Sequence, residues 1–222
     1  MGRVRVKICG ITTPEDARLV VEAGADAVGL VFADSPRQVT ADQAARIVAV
    51  LPPWVTAVGV FVNATPEVID ATARQARLGA VQLHGDESAD EVNRAAQRAK
   101  VIKAFRIGSA GDLAAVREML GRCRPHACLV DARVEGRYGG TGEKAPWDLV
   151  AAAREALWPL ILSGGLGPED VADAIRTVRP FGVDTSSGVE RSPGRKDPDL
   201  VRQFVEQALS VSVEYPQMGD TE

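Results

Sequence analysis

Cys9 lies in the stretch RVKICGITTPEDA, where a run of alternating apolar and basic residues ends in a thiol, a glycine and a helix-start signal. Two readings compete: a small apolar residue closing a buried strand, the usual place of a free cysteine, or a thiol positioned to react. A reacting thiol works as its thiolate, which needs positive charge or hydrogen bonds nearby. Lys7 shares the face of Cys9 by strand alternation, one layer deeper, and is either that help or a structural lysine. Asp131 directly follows ACLV and precedes ARVEGRYGGTGEKAPW, a glycine-rich stretch of the kind that closes as a lid over a site. A carboxyl group there serves either proton transfer or the capping of a turn. His84 is a candidate substrate contact or a plain rim residue, with Gln82 beside it, and Arg37 and Arg106 are candidates for bidentate pairing with a carboxylate or for solvated surface positions. Two later stretches, SGGLGPED and DTSSGVERSPG, carry Gly164, Gly165 and Gly188 with Ser163, Ser186 and Ser187. Their glycines allow backbone N–H groups to approach an anion closely, so a phosphate site is favoured over tight turns alone.

All of these residues stand at the ends of short apolar, β-branched runs: VRVKIC, AVGLVF, TAVGVFV, AVQLH, VIKAF, ACLVD, PLILS and FGVDTS. Between the runs lie segments of helical period, such as TPEDARLVVEAG, SADEVNRAAQRA, GPEDVADAIRTV and DPDLVRQFVEQAL, many opening with Thr, Ser or Asp before Pro or an acidic residue. Strict strand–helix alternation implies parallel strands joined by right-handed crossovers. Eight units of roughly 28 residues each predict a single (β/α)8 barrel over residues 1–210, ahead of a doubly wound open sheet. The near-continuous hydrophobicity of the strands fits burial on both faces. Residues 211–222 read as a frayed C-terminal tail. In such a barrel the groups that follow each strand share one rim, whereas His126, which precedes its strand, belongs to the opposite, stabilising face.

Composition narrows the partners. The chain is 45% hydrophobic and 25% charged with a net charge of -4, which argues against a nucleic-acid partner and leaves room for a small anion. It has no apolar run long enough for a membrane span or signal peptide, so a cytoplasmic protein is expected. Three cysteines and two histidines support neither a disulfide framework nor a zinc site, and Cys123 and Cys128 read as inert packing residues.

In this order, VKICGIT, EAGADAVGLVF, SPRQV, VGVFVN, VQLHGDE, LVDA with GGTG, ILSGGLGPEDV and GVDTSSGVE with PGRKD resemble the phosphoribosylanthranilate isomerases of tryptophan biosynthesis, from about residue 4 to residue 208. Two departures are local: the segment from Phe32 to Ser35 is a residue shorter, and RVEGRY lengthens the loop before GGTG. The resemblance implies a barrel enzyme without cofactor or metal that converts N-(5-phosphoribosyl)anthranilate to 1-(2-carboxyphenylamino)-1-deoxyribulose 5-phosphate. It implies Cys9 as base, Asp131 as acid, and Arg37, Gln82 and His84 at the substrate, with Arg37 facing the anthranilate carboxylate. It further implies Gly164, Gly165, Asp184, Ser186, Ser187 and Gly188 at the phosphate. The expected partner is the phosphosugar substrate, with no membrane or nucleic acid, in a monomer or a homodimer. Indole-glycerol phosphate synthesis would need a catalytic lysine and glutamate at strand ends, and the related histidine-pathway isomerase has Asp where Cys9 stands. A non-catalytic sugar-phosphate binder would need neither Cys9 nor Asp131.

Overall fold

The eight apolar runs are the eight strands of one closed parallel barrel in a computed structural model that describes residues 2–131 and 147–215. The strands are β1 (Arg5–Ile8), β2 (Ala27–Val31), β3 (Thr56–Phe61), β4 (Ala80–Leu83), β5 (Val101–Arg106), β6 (Ala127–Asp131), β7 (Leu160–Ser163) and β8 (Gly182–Thr185). They neighbour one another in sequence order, and β1 closes on β8 with Arg5 opposite Gly182 and Lys7 opposite Asp184. The helices that follow them are α1 (Pro14–Glu22), α2 (Ala41–Val48), α3 (Pro66–Ala76), α4 (Ala89–Ala96), α5 (Ala110–Leu120), α6 (Trp147–Ala152), α7 (Val171–Val178) and α8 (Pro198–Leu209). No helix among the described residues is long and apolar enough to cross a membrane.

Local chemistry starts most helices where the sequence says they start. Thr13 and Thr65 cap α1 and α3 ahead of a proline in the first turn, and Asp197 does the same for α8. Thr40 with Gln43, and Ser88 with Glu91, form reciprocal capping boxes on α2 and α4. The segment GPED behaves differently: the Gly167 N–H donates to the Asp170 carboxylate at 2.8 Å, closing a turn of its own, and α7 begins only at Val171.

Pleating sends alternate residues into the barrel. One set, including Val58, Ala80, Ile102, Ala104, Leu129 and Ile161, fills the lower interior as an apolar plug. The other packs beneath the helices in the larger core, where Val6, Ile8, Val28, Leu30, Val130 and Leu162 are fully buried. Above the plug the interior turns polar, with Lys7, Gln82 and Asp184 all at least 95% hidden from solvent. The step from apolar to polar places chemistry at the C-terminal mouth.

The expected fraying from residue 211 does not hold as far as residue 215. Ser212–Val213 pairs antiparallel with Gly2–Arg3, and the Tyr215 ring lies 5.4 Å from Trp158 and 5.7 Å from Phe181, with its hydroxyl donating to the Arg3 carbonyl. The cause is aromatic burial at the N-terminal end of the barrel, which fixes the chain after α8. Residues 216–222 and the glycine-rich stretch 132–146 lie outside the described residues.

Outside the barrel wall, a buried pair shapes the rim near His84. Lys103 on β5 donates to Glu87 at 2.8 Å and to the Gly85 carbonyl at 2.7 Å, while Glu87 accepts from the Asn63 and Gly85 N–H groups at 3.0 and 3.1 Å. A β-carbon on Gly85 would come within 2.2 Å of Asn63 Oδ1, so the turn admits no side chain there. Removing one partner of a buried pair leaves the other uncompensated. Glu87→Ala should therefore lower unfolding free energy by about 3–5 kcal/mol, and Glu87→Ala with Lys103→Met by clearly less. Urea unfolding of both variants checks the order.

Candidate active site

Cys9 directly follows β1, its N–H donating to the Thr185 carbonyl at 2.8 Å across the closing seam. A β-carbon on Gly29 would stand 2.5 Å from its sulfur, so the missing side chain on β2 makes room for the thiol. One layer below, Lys7 Nζ donates to Asp184 Oδ1 at 2.8 Å, and Ser163 Oγ donates to the other carboxylate oxygen at 3.4 Å. Burial pushes the Cys9 thiol above its ordinary value, while the charge and hydrogen bond of Lys7 pull against that rise. For Lys7 itself burial acts downward, but the charges of Asp184 and Cys9 outweigh it and hold the ammonium. Asp184, which the family resemblance assigns to the phosphate, lies inside the barrel paired with Lys7, one layer below the thiol.

Asp131 ends β6 on the far side of the mouth, in register with Arg106 on one neighbour and Ser163 on the other. Its charge acts on His84, whose imidazole burial pushes below its usual value, against the upward pull of Asp131 and then Asp184. His84 is accordingly neutral at pH 7, its Nδ1 lying 2.7 Å from the Gln82 amide nitrogen. Gln82 is 1% exposed, and its Oε1 is buried without a hydrogen-bond partner, an acceptor facing the polar interior. Four sequence-chosen residues therefore converge: Cys9, Gln82, His84 and Asp131 line one mouth.

Arg37 reaches the same mouth by crossing over β1. Its Cδ lies 2.5 Å from where a β-carbon on Gly10 would stand, and Gly10 holds a φ of +75°, so glycine is required twice at that residue. The guanidinium is not free in solvent: Nε donates to Glu190 Oε1 at 2.9 Å and Nη2 to Oε2 at 2.6 Å. Glu190 also accepts from Lys196 Nζ at 2.9 Å. Burial raises the Glu190 carboxyl, but the hydrogen bonds and charges of Arg37 and Lys196 outweigh it and hold it below its usual range. Both partners come from a hairpin after β8, Glu190–Ser192 against Arg195–Lys196. Sequence reasoning missed Glu190 and Lys196; the signal was the SPG turn at 192–194 flanked by charged residues, a hairpin that folds them back over Gly10.

The glycine turns lie beside this bridge. Gly164 and Gly165 adopt φ of 116° and 80°, open to glycine far more than to other residues. Gly188 lies so close to the β7 turn that a β-carbon there would meet the Leu166 carbonyl oxygen at 2.0 Å, and Thr185 Oγ1 donates to the same carbonyl at 2.6 Å. The two turns form one surface, with a single 3-10 turn at Ser187–Val189. The Ser186 hydroxyl points elsewhere: it is buried without a partner and lies 2.8 Å from the Gly10 β-position, toward β1. Among the described residues no three His, Cys, Asp or Glu side chains gather as metal ligands.

A closed parallel barrel with its polar, titratable groups gathered on the strand ends is the architecture of the (β/α)8 enzymes. Residues 6–207 match the family model described as N-(5'phosphoribosyl)anthranilate (PRA) isomerase, and the chain belongs to that family. A relative of that name from Trichlorobacter lovleyi is 50% identical over 206 residues, 92% of this chain and 98% of its own. A crystal structure of a phosphoribosyl anthranilate isomerase in complex with reduced 1-(o-carboxyphenylamino)-1-deoxyribulose 5-phosphate is similar at TM-score 0.83 and 43% identity, covering 94% of this chain and all of that one. A crystal structure of monomers of the dimeric phosphoribosylanthranilate isomerase from Thermotoga maritima is similar at TM-score 0.83 and 41% identity, with coverage of 94% of this chain and 100% of that one.

The electrostatics of Cys9 are open to direct measurement. With burial holding the thiol up, half-maximal alkylation of Cys9 by iodoacetamide should fall at a pH above the usual thiol value of about 8.5. Lys7→Met removes the pull downward, so its midpoint should lie higher still. Peptide mass spectrometry on Cys9 reads both; a midpoint below 8 would show a thiolate already formed in the empty site.

Proposed function

We propose that the chain isomerises N-(5-phosphoribosyl)anthranilate to 1-(2-carboxyphenylamino)-1-deoxyribulose 5-phosphate in tryptophan biosynthesis. The observation that carries the reading is the pair Cys9 and Asp131, on the ends of β1 and β6 of one closed rim, in a chain of this family. The reaction is an Amadori rearrangement and moves protons, not electrons. Asp131, as the acid, gives a proton to the furanose ring oxygen while the bond from that oxygen to C1 breaks, leaving an iminium at C1. Cys9, as thiolate, takes the proton from C2, and the electron pair forms an enolamine. Tautomerisation then yields the C2 ketone, with a proton added at C1. The two groups flank the sugar because three strand spacings separate β6 from β1 around the rim. Gln82 Oε1, unpartnered in the interior, is suited to accept from a sugar hydroxyl, and Arg37 to face the aryl carboxylate. Gly164, Gly165, Ser187 and Gly188 offer the phosphate their backbone N–H groups.

Loss of anthranilate-type fluorescence from freshly made substrate, with no metal or nucleotide added, tests the activity. Cys9→Ala and Asp131→Ala should each lose on the order of 100-fold or more in kcat, the range of general acid or base catalysis, yet still bind the reduced product analogue. Arg37→Ala should raise KM more than it lowers kcat, because a carboxylate charged throughout is held equally in ground and transition states. Near-normal turnover in Cys9→Ala would return Cys9 to a packing role.

The assembly we propose is a homodimer. Trp54, after Pro52 and Pro53, is 93% exposed at the N-terminal mouth, beside a recess of about 380 Å³ that reaches Phe181 and the strand starts. An exposed tryptophan at the edge of a hollow is self-complementary across a two-fold axis. Sedimentation should show a dimer that Trp54→Glu converts to monomer with turnover retained.

A further inference from the structure

The segment 186–196 joins the turn proposed for phosphate to the residues that hold Arg37. Its first residues form the turn assigned to phosphate, and its hairpin carries the partners of Arg37. Lys196 is 1% exposed, and its ammonium reaches two ways, 3.0 Å to the Ser186 carbonyl at the start of that turn and 2.9 Å to Glu190 Oε1. Glu190, its side chain 4% exposed, takes Lys196, the Gly194 N–H at 3.3 Å and the Nε and Nη2 edge of Arg37. Hydrogen bonds therefore run unbroken from Ser186 through Lys196 and Glu190 to Arg37, and that path lies across Gly10, above Cys9.

Two features make this path more than a brace. It holds two cations against one carboxylate, and a positive charge in excess where water is scarce favours an incoming anion. In addition, Glu190 occupies only one edge of the guanidinium, leaving the Nη1 edge for a second carboxylate, and Arg37 keeps 23% of its side chain exposed while Glu190 and Lys196 are closed off.

We propose that Lys196 and Glu190 are positioning residues that couple the two ends of the substrate: phosphate on the turn at Ser187 and Gly188 fixes the hairpin, and the hairpin fixes Arg37 for the aryl carboxylate. The coupling rests on the placement of carboxylate and phosphate proposed above, and by linkage it is reciprocal, each anion tightening the other by one factor. Its benefit is selectivity, since a molecule carrying only one of the two anions gains none of the coupling.

The test uses two fragments, anthranilate and inorganic phosphate, titrated singly and together into the intact protein and followed by amide proton–nitrogen shifts. In wild type, saturating phosphate should tighten anthranilate about fivefold or more, the lower range of measured couplings. In Lys196→Met the factor should fall close to one, while phosphate alone keeps its affinity to within about twofold, because the backbone donors of the turn remain. Glu190→Gln keeps the shape and one acceptor but loses the charge, and should lower the factor as well; it carries the measurement if Lys196→Met fails to fold, as a thermal melt would show. Binding of both fragments to wild type with additive free energies, or an unchanged factor in either folded variant, overturns the coupling and leaves the proposed function standing. Failure of wild type to bind either fragment overturns the placement of the anions, and the coupling with it.

Discussion

The ion pair between Lys7 and Asp184 lies across the seam where the first strand meets the last, and the arrangement of the mouth depends on it. A cylinder of eight strands has no edges, but its closing contact must be made between the ends of the chain farthest apart in sequence. Here four residue pairs, from Arg5 with Gly182 to Ile8 with Thr185, make that contact, and the ammonium of Lys7 meets the carboxylate of Asp184 inside it. A buried pair adds little net stability, because desolvation takes back most of the attraction. What it supplies is register: a slip of one residue would turn Lys7 out of the barrel toward the helices and leave Asp184 buried and unpaired. With that register set, Cys9 is held one pleat above Lys7, and its N–H is tied to Thr185.

Small residues then decide how closely the parts approach. Gly29 makes space for the Cys9 sulfur, Gly10 for the stem of Arg37, and Gly188 for the Leu166 carbonyl. In each case a methyl group would press on sulfur, side chain or backbone at 2.8 Å or less. The mouth is thus built by subtraction around β1 and β8, while on the β4 side it is built by addition, with Glu87 and Lys103 holding the turn that carries His84 from outside the wall. The two halves of the site have different mechanical supports, and the thiol and the carboxylate belong to different halves.

Electrostatically the mouth is divided as well. The β1 and β8 side holds Lys7, Lys196 and Arg37 against Asp184 and Glu190, a surplus of one positive charge next to the thiol. On the opposite side, His84 is kept neutral by burial beside Asp131. The thiol proposed as the base therefore sits among cations, and the carboxyl proposed as the acid sits beside a neutral ring. That division is what the two proton transfers of an aldose–ketose rearrangement require of their surroundings.

The number of strands, their parallel order and the rim on which Cys9, His84 and Asp131 stand were legible in the sequence, because period-two apolar runs alternating with capped helical segments leave a chain of this length few other ways to bury both faces of its strands. Helix starts at Thr13, Thr40, Thr65, Ser88 and Asp197 were legible for the same local reason, since capping involves neighbours in the chain. The start of α7 was not, because Asp170 closed a turn on Gly167 instead. Order in the chain as far as Tyr215 depended on a ring contact with Trp158 that no local pattern announces. The partners of the charged groups were hidden altogether: Lys7 meets Asp184 across 177 residues, and Arg37 meets Glu190 across 153. Sequence determines which residues can carry charge and on which face they stand. Which charge neutralises which, and hence whether a carboxylate serves the phosphate, the thiol or the arginine, is decided by closure of the barrel, because Coulomb energy depends on distance in space and the chain sets only distance along itself.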